Sequence, residues 1–253
     1  MAMAFSVTLG LLLLTLGFAV DLQELETKIS GPKEDLLRGL LWPSAWPLRS
    51  EHLQRMDESE DQEFYGQARL VTHIDDAAIG ALRRYYEVHF HAGAAVLDLC
   101  SSWISHFPAV RLARAVGIGM NADELARNEQ LTEWTVKDLN KDPTLNFEDE
   151  TFDFVVNAVS VDYLVHPLEI FKEMLRVLKP GGMAIMGFSN RFFGTKAIKL
   201  WLEISELQRC QVVSWYFHFA GFRQIRAKEI TAKGGRDPMY VVEGVKAPIS
   251  DEL

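Results

Sequence analysis

The stretch that most constrains this chain is Val96-Leu97-Asp98-Leu99-Cys100-Ser101-Ser102, together with the run that follows it to Met120-Asn121. Val96 to Leu99 reads as a short buried strand carrying one carboxylate near its end. Three small residues then turn the chain where an open α/β sheet holds its ligand, outside the carboxyl end of a strand. A second apolar run, Ala115-Val116-Gly117-Ile118-Gly119-Met120, follows at the spacing of a strand–crossover–strand unit. Pro108 interrupts the crossover, so a helix there is limited to a short turn over Ser102 to Phe107, and His106 reads as structural.

Beyond this corner, strand and helix signals alternate. Trp134 to Leu139 and Phe152 to Ala158 read as further strands. Pro167 opens a helix with Phe171, Met174, Leu175 and Leu178 on one face. Leu178-Lys179-Pro180-Gly181-Gly182 stops it before a strand over Met183 to Phe188. Upstream, Thr72 or Asp75 caps a helix from Asp76 to Val88. Downstream, a helix opens over Thr195 to Trp201 and another spans Cys210 to Ala220. Arg223 to Ile230 and Met239 to Val245 then form a closing antiparallel pair. The expected fold is α/β: a doubly wound, mostly parallel, seven-stranded sheet with an N-terminal hydrophobic segment.

With 253 residues the chain can bury one substantial core and carry an N-terminal extension. A net charge of −9 with no basic stripe argues against nucleic acid as a partner. Cys100 and Cys210 make neither a disulfide framework nor a metal site, and both read as free thiols.

Met1 to Val20 is uncharged and resembles a secretory signal, with Gly17-Phe18-Ala19 as a small-x-small cleavage site. The same segment just reaches the length of a membrane span, so cleaved signal and retained membrane anchor both stand, the latter giving membrane association through residues 1–20. Ser250-Asp251-Glu252-Leu253 resembles the Lys-Asp-Glu-Leu retention address. The two ends point to the endoplasmic reticulum or a secretory-pathway membrane, with an anchored domain facing the cytosol as the alternative. Residues 21–62 read as a linker in which Trp42-Pro43 and Trp46-Pro47 break helices, the Trp rings lying on the domain or on a membrane surface. Residues 63–248 form the domain and 249–253 a tail.

The corner at Asp98 resembles the first motif of class I S-adenosylmethionine-dependent methyltransferases, a hydrophobic run followed by Asp-x-Gly-x-Gly-x-Gly. Asp98 takes the Asp, while Cys100, Ser102 and Ile104 stand where the glycines belong. Arg176-Val177-Leu178-Lys179-Pro180-Gly181-Gly182 closely resembles a second hallmark of that superfamily. From Phe64 to Gly244 the chain looks like an uncharacterised, methyltransferase type 11-like branch, through Val71 to Asp76, Asp98 to His106, Gly119 to Asn121 and Ser189 to Arg191.

The resemblance implies S-adenosyl-L-methionine as cofactor, held by Asp98, Cys100, Ser101, Ser102, Asn121, Asp138, Leu139, Asn157 and Ser160. In it, Asp138 accepts from the adenine amine and the Leu139 amide meets a ring nitrogen. Gly119 falls where relatives carry a ribose carboxylate. Asn121 either offers one amide in its place or caps the helix from Ala122 to Arg127. Asp162, Tyr163 and His73 are the candidates for a general base, and Tyr65, Asn190 and Arg191 for the substrate side. Plain packing for Tyr65, a cap or hydrogen bond for His73 and a surface salt bridge for Arg191 are the structural alternatives. Arg191 suits a carboxylate or phosphate.

The implied function is methyl transfer to a small-molecule acceptor. The missing glycines and ribose carboxylate leave standing a protein of the same fold without methyl transfer. No Gly-x-Gly-x-x-Gly follows the first strand, which argues against a nicotinamide dehydrogenase, and no Gly-x-Ser-x-Gly elbow supports a hydrolase.

Overall fold

The computed structural model describes residues 35–40 and 42–248. The readings at residues 1–20 and at Ser250 to Leu253 lie outside the described residues. Among those, no helix is long and apolar enough to cross a membrane.

One sheet organises the domain. Its strands are β1 (Ala95–Leu99), β2 (Arg114–Gly119), β3 (Glu133–Val136), β4 (Phe152–Ala158), β5 (Leu178–Ser189), β6 (Arg223–Glu229) and β7 (Met239–Val245), in the order β3-β2-β1-β4-β5-β7-β6. The first five pair in parallel, and β7 lies antiparallel between β5 and β6. Strand order reverses between β1 and β4, and such a switch point leaves a crevice outside the carboxyl ends of the strands. β1, β2 and β4 are almost continuously buried because layers cover both of their faces.

The helices are α1 (Asp61–Tyr65), α2 (Asp76–His89), α3 (Ala122–Leu125), α4 (Pro167–Val177), α5 (Lys199–Glu203) and α6 (Glu206–Ala220). α2 covers one face, setting Ile79, Leu82 and Tyr86 against Val96, Val156, Ile185 and Val241. Its cap is Asp75, whose Oδ1 accepts the Ala78 N–H at 2.8 Å. α4 and α6 cover the other face. Ile170, Phe171, Met174 and Val177 are fully buried, with Phe171 edge-on to Phe217 at 4.9 Å. Each such side chain contributes about 1.5–3 kcal/mol by leaving water. α6 starts at Glu206, ahead of the expected Cys210, because Ser205 and Gln208 form a capping box. Likewise β5 begins at Leu178 and not at Met183. Its pairing with β4 shifts register between Phe152 and Phe154, and Gly181 takes φ +79° in the bulge.

Two expectations are corrected. Residues 100–113 contain no helix, so even the short turn over Ser102 to Phe107 does not form. Residues 35–40 and 42–62 are not a free linker. Leu37 and Leu48 join the core, Trp46 packs edge-on against Phe219 at 5.6 Å, and Trp42 stacks on His218 at 5.0 Å. The Leu36 N–H donates to Ala227 O at 2.8 Å, and Arg55 forms a β-bridge with Ile198.

Candidate functional site

A cavity of about 360 Å³ opens at the carboxyl ends of β1 to β4, within the range of about 300–1,000 Å³ usual for ligand pockets. The loops after those strands form its floor and sides, residues 190–193 one rim, and parts of the segment 61–74 its cover.

The loop after β1 is held by side chains. Asp98 is buried, and its Oδ2 accepts from Ser101 Oγ and Ser105 Oγ, each at 2.6 Å. Asn128 Nδ2 donates to Ser105 Oγ and to Ser102 O at 2.8 Å. Gln130 Oε1 accepts the Ser105 N–H at 3.2 Å, and its Nε2 donates to Phe107 O at 3.0 Å. Burial pushes the Asp98 carboxyl up to about 7 against the pull of both serines. Cys100 takes φ +55°, the left-handed conformation a glycine would adopt freely. Burial pushes its thiol up to about 12. At the end of β4, Val159 takes φ +47°, held by its N–H to Gly187 O at 2.7 Å. A β-branched residue there is strained, and such strain gathers at ligand sites.

The end of β2 differs from the pattern of relatives for a steric reason. A Cβ on Gly119 would stand 2.1 Å from Ser101 O, so a side chain has no room there. Asn121 is the cap of α3: its Oδ1 accepts the N–H groups of Asp123 and Glu124 at 3.0 and 3.2 Å. Its Nδ2 donates to Tyr65 O and Gly66 O at 2.9 and 3.1 Å, so its amide is already committed. Glu124 lines the cavity beside it. Oε1 accepts the Arg69 N–H and Oε2 the Ser102 hydroxyl, both at 2.6 Å.

Asp138 and Leu139 share the wall beyond β3, where Asp138 Oδ1 accepts the Asn140 N–H at 2.9 Å. Asn140 joins cover to floor: Nδ2 donates to Asp61 Oδ2 and Tyr163 O, and Oδ1 accepts the Val165 N–H, all at 2.9 Å. The cover is further clamped by Arg55 Nη1 on Asp61 at 2.6 Å and by the fully buried Lys196, whose Nζ donates to Ser59 O at 2.7 Å.

Cys100, Ser101 and Ser102 past β1, and Ser160 and Tyr163 past β4, line the cavity. Ser160 Oγ donates to Ala158 O at 3.1 Å, and the Phe193 N–H donates to Tyr163 Oη at 2.7 Å. Asn157 and Asp162 lie outside the lining. Asn157 Nδ2 donates to Leu99 O at 3.0 Å, while among the described residues its Oδ1 has no partner. Asp162 is a buried carboxyl that burial pushes up to about 8, and among the described residues its Oδ2 has no partner. His73, Tyr65, Asn190 and Arg191 all line the cavity. Partial desolvation lowers the His73 pKa, and Arg69 and Arg191 lower it further against Glu124. Among the described residues, the buried Tyr65 Oη has no partner. Arg191 Nε stands 4.0 Å from Asp237 Oδ1 on a side chain 60% exposed. Sequence reasoning missed Arg69, Glu124, Asn140 and Lys196, whose partners lie far along the chain. Only the acidic first turn of α3 hinted at Glu124.

A methyltransferase-domain family model matches residues 100–186, from the loop after β1 into β5. Over 60 residues the chain is 42% identical to the biotin biosynthesis bifunctional protein BioHC of Teredinibacter turnerae, covering 24% of this chain and 10% of that protein. Over 72 residues it is 39% identical to the uncharacterized methyltransferase YbaJ of Bacillus subtilis, 28% of each chain. It therefore spans well under a third of either relative. It also superposes on one chain of a complex between the Haloferax volcanii Trm112 methyltransferase activator and a methyltransferase. There the TM-score is 0.50 at 14% identity, covering 68% of this chain and 90% of that one. This chain has the doubly wound fold of class I methyltransferases, and the stretch matched within it is similar to a methyltransferase domain. The methyltransferase-domain match takes in most of the cavity floor and all of α4, while the cover at 61–74 lies outside it.

Proposed function

We propose that the chain binds S-adenosylmethionine in this cavity and transfers a methyl group to a small-molecule acceptor. The observation that carries the reading is the cavity at the switch point of the sheet, with Asp138 and Leu139 on one wall and the Cys100–Ser102 backbone on another. The residues fit the cofactor. Cys100 keeps the left-handed backbone that a glycine would supply, so the loop stays close against the site despite its side chain. Glu124 supplies a carboxylate near Gly119, where none can be attached, and each of its oxygens has acceptor capacity left for a ribose hydroxyl.

When bound, the cofactor supplies an electrophilic methyl on a sulfonium. The work left to the protein is orientation and exclusion of water. Asp138 and Leu139 hold the adenine edge, and Ser101 and Ser102 the methionyl end. Asp98 acts as the prop of its loop, because the Ser101 and Ser105 hydroxyls are spent on it. The neutral imidazole of His73 at the mouth takes a proton from an acceptor that must lose one. Tyr163, whose oxygen accepts from Phe193, keeps its own proton to donate.

Calorimetric titration of the full chain with S-adenosylmethionine tests this. A dissociation constant on the order of micromolar is expected, weakened about tenfold or more in Asp138→Ala by loss of a hydrogen bond to a charged group. A folded protein that binds nothing at millimolar cofactor would contradict the reading.

A further inference from the structure

Two arginines, Arg69 and Arg191, line the cavity in a chain whose net charge is −9. The Arg69 backbone is tied to Glu124, and its guanidinium lies over Phe64 and Phe193, 4.7 and 5.5 Å from the ring centres. Nη2 donates to Phe64 O at 2.8 Å. Among the described residues, no carboxylate stands within ion-pair distance of this guanidinium. Arg191 reaches Asp237 only at 4.0 Å. Beside these cations the surface is apolar: Leu70 and Val71 are 42% and 57% exposed, and Trp103 Nε1 pins Val71 O at 3.2 Å.

A guanidinium fixed on ring faces and lacking a counter-ion is a prepared fork for a planar anion. An exposed apolar patch beside it marks where the body of a ligand lies. We infer that this mouth is a carboxylate subsite, and that the acceptor is an apolar carboxylic acid held by Arg69, with Arg191 as the outer cation and Leu70 and Val71 under its body. The inference deepens the proposed function and rests on it. The other source of a carboxylate is the cofactor's own methionyl end. The acceptor is favoured because Arg69 belongs to the cover segment beside the exposed Leu70 and Val71, and not to the loops after β1 and β3 assigned to the cofactor.

The test is calorimetric binding of octanoate and its neutral isostere octanamide to the full chain, with and without saturating S-adenosylhomocysteine. The wild-type protein is expected to prefer octanoate about tenfold or more, as a charge-assisted bidentate contact requires. Arg69→Gln reduces the preference to about twofold or less, Arg69→Lys keeps part of it, and Arg191→Gln lowers it by a smaller factor. Arg69→Gln lowers the melting temperature modestly by losing the Phe64 O bond and the ring contacts, and leaves S-adenosylhomocysteine affinity within about twofold. Equal binding of the two probes by the wild-type protein would overturn the inference. So would an Arg69→Gln variant that keeps the octanoate preference while losing S-adenosylhomocysteine affinity, since the guanidinium then serves the cofactor. Failure of the wild-type chain to bind S-adenosylhomocysteine, with the octanoate preference intact, would instead count against methyl transfer and leave the anion subsite standing.

Discussion

The two sides of the switch point are built by different means. On the β4–α4–β5 side, Ile170, Phe171, Met174 and Val177 lock a regular helix onto the sheet, and apolar area does the holding. On the β1–β2 side no crossover helix forms. Asp98, Ser101, Ser105, Asn128 and Gln130 instead satisfy one another and the loop backbone. A doubly wound sheet can thus lose a helix and its glycines at the ligand edge, provided the buried polar groups left behind find partners. Apolar packing tolerates exchange of similar shapes, whereas a polar lattice fails when one member goes. The two sides should therefore respond differently to substitution.

The largest effect belongs to the packed side. Phe171→Ala should cost about 3–5 kcal/mol in urea unfolding through the cavity it leaves. Cofactor affinity in the folded fraction should stay within about twofold, because no cavity-lining residue is removed. Restoring the acidic residue of relatives on the other side, by Gly119→Asp, should cost about 3 kcal/mol, since the new Cβ meets Ser101 O. It should weaken cofactor binding and not tighten it. Ser105→Ala should cost about 1–2 kcal/mol by stranding Asn128 and one Asp98 bond. Unlike Phe171→Ala, it should also weaken S-adenosylhomocysteine binding measured by calorimetry.

The last effect is conditional on pH. The folded Asp162 carboxyl is raised to about 8 from 3.8, so between those values the native state keeps a proton that the unfolded chain has released. This stabilising contribution is whole below about pH 4, declines as pH rises, and is fully lost above about pH 8. Asp162→Asn cannot ionise. Its melting temperature should match wild type near pH 4 and pull ahead progressively up to pH 8, with the gap then constant. If the variant lost methyl transfer while keeping cofactor affinity, Asp162 would be acting on the ligand after all.

The regular side was legible because its signals are local. Pro167 and the apolar face of α4 lie within one short stretch, and only the start of β5 was displaced, since Gly181-Gly182 fall inside that strand. The polar side was legible only as a strand, a turn and a Pro at residue 108. Whether Asn121 capped a helix or met a ribose depended on Tyr65 and Gly66, more than fifty residues away. The cover was harder still. Asn140 to Asp61 spans 79 positions and Lys196 to Ser59 spans 137, so nothing near residues 55–62 marked them as part of the domain. Val159 shows the same limit, for its positive φ is imposed by the Gly187 carbonyl on a neighbouring strand.

The most direct measurement is amide hydrogen exchange of the full chain with and without saturating S-adenosylhomocysteine. Ligand held by the polar loop should slow exchange at residues 99–105 and 137–140 by about tenfold or more, the effect of adding about 1.4 kcal/mol to local opening. Exchange over Pro167–Val177 should change only as much as global stability does. Unchanged exchange at residues 99–105 in a protein that demonstrably binds the ligand would contradict the account, because the cofactor would then sit somewhere other than the switch point.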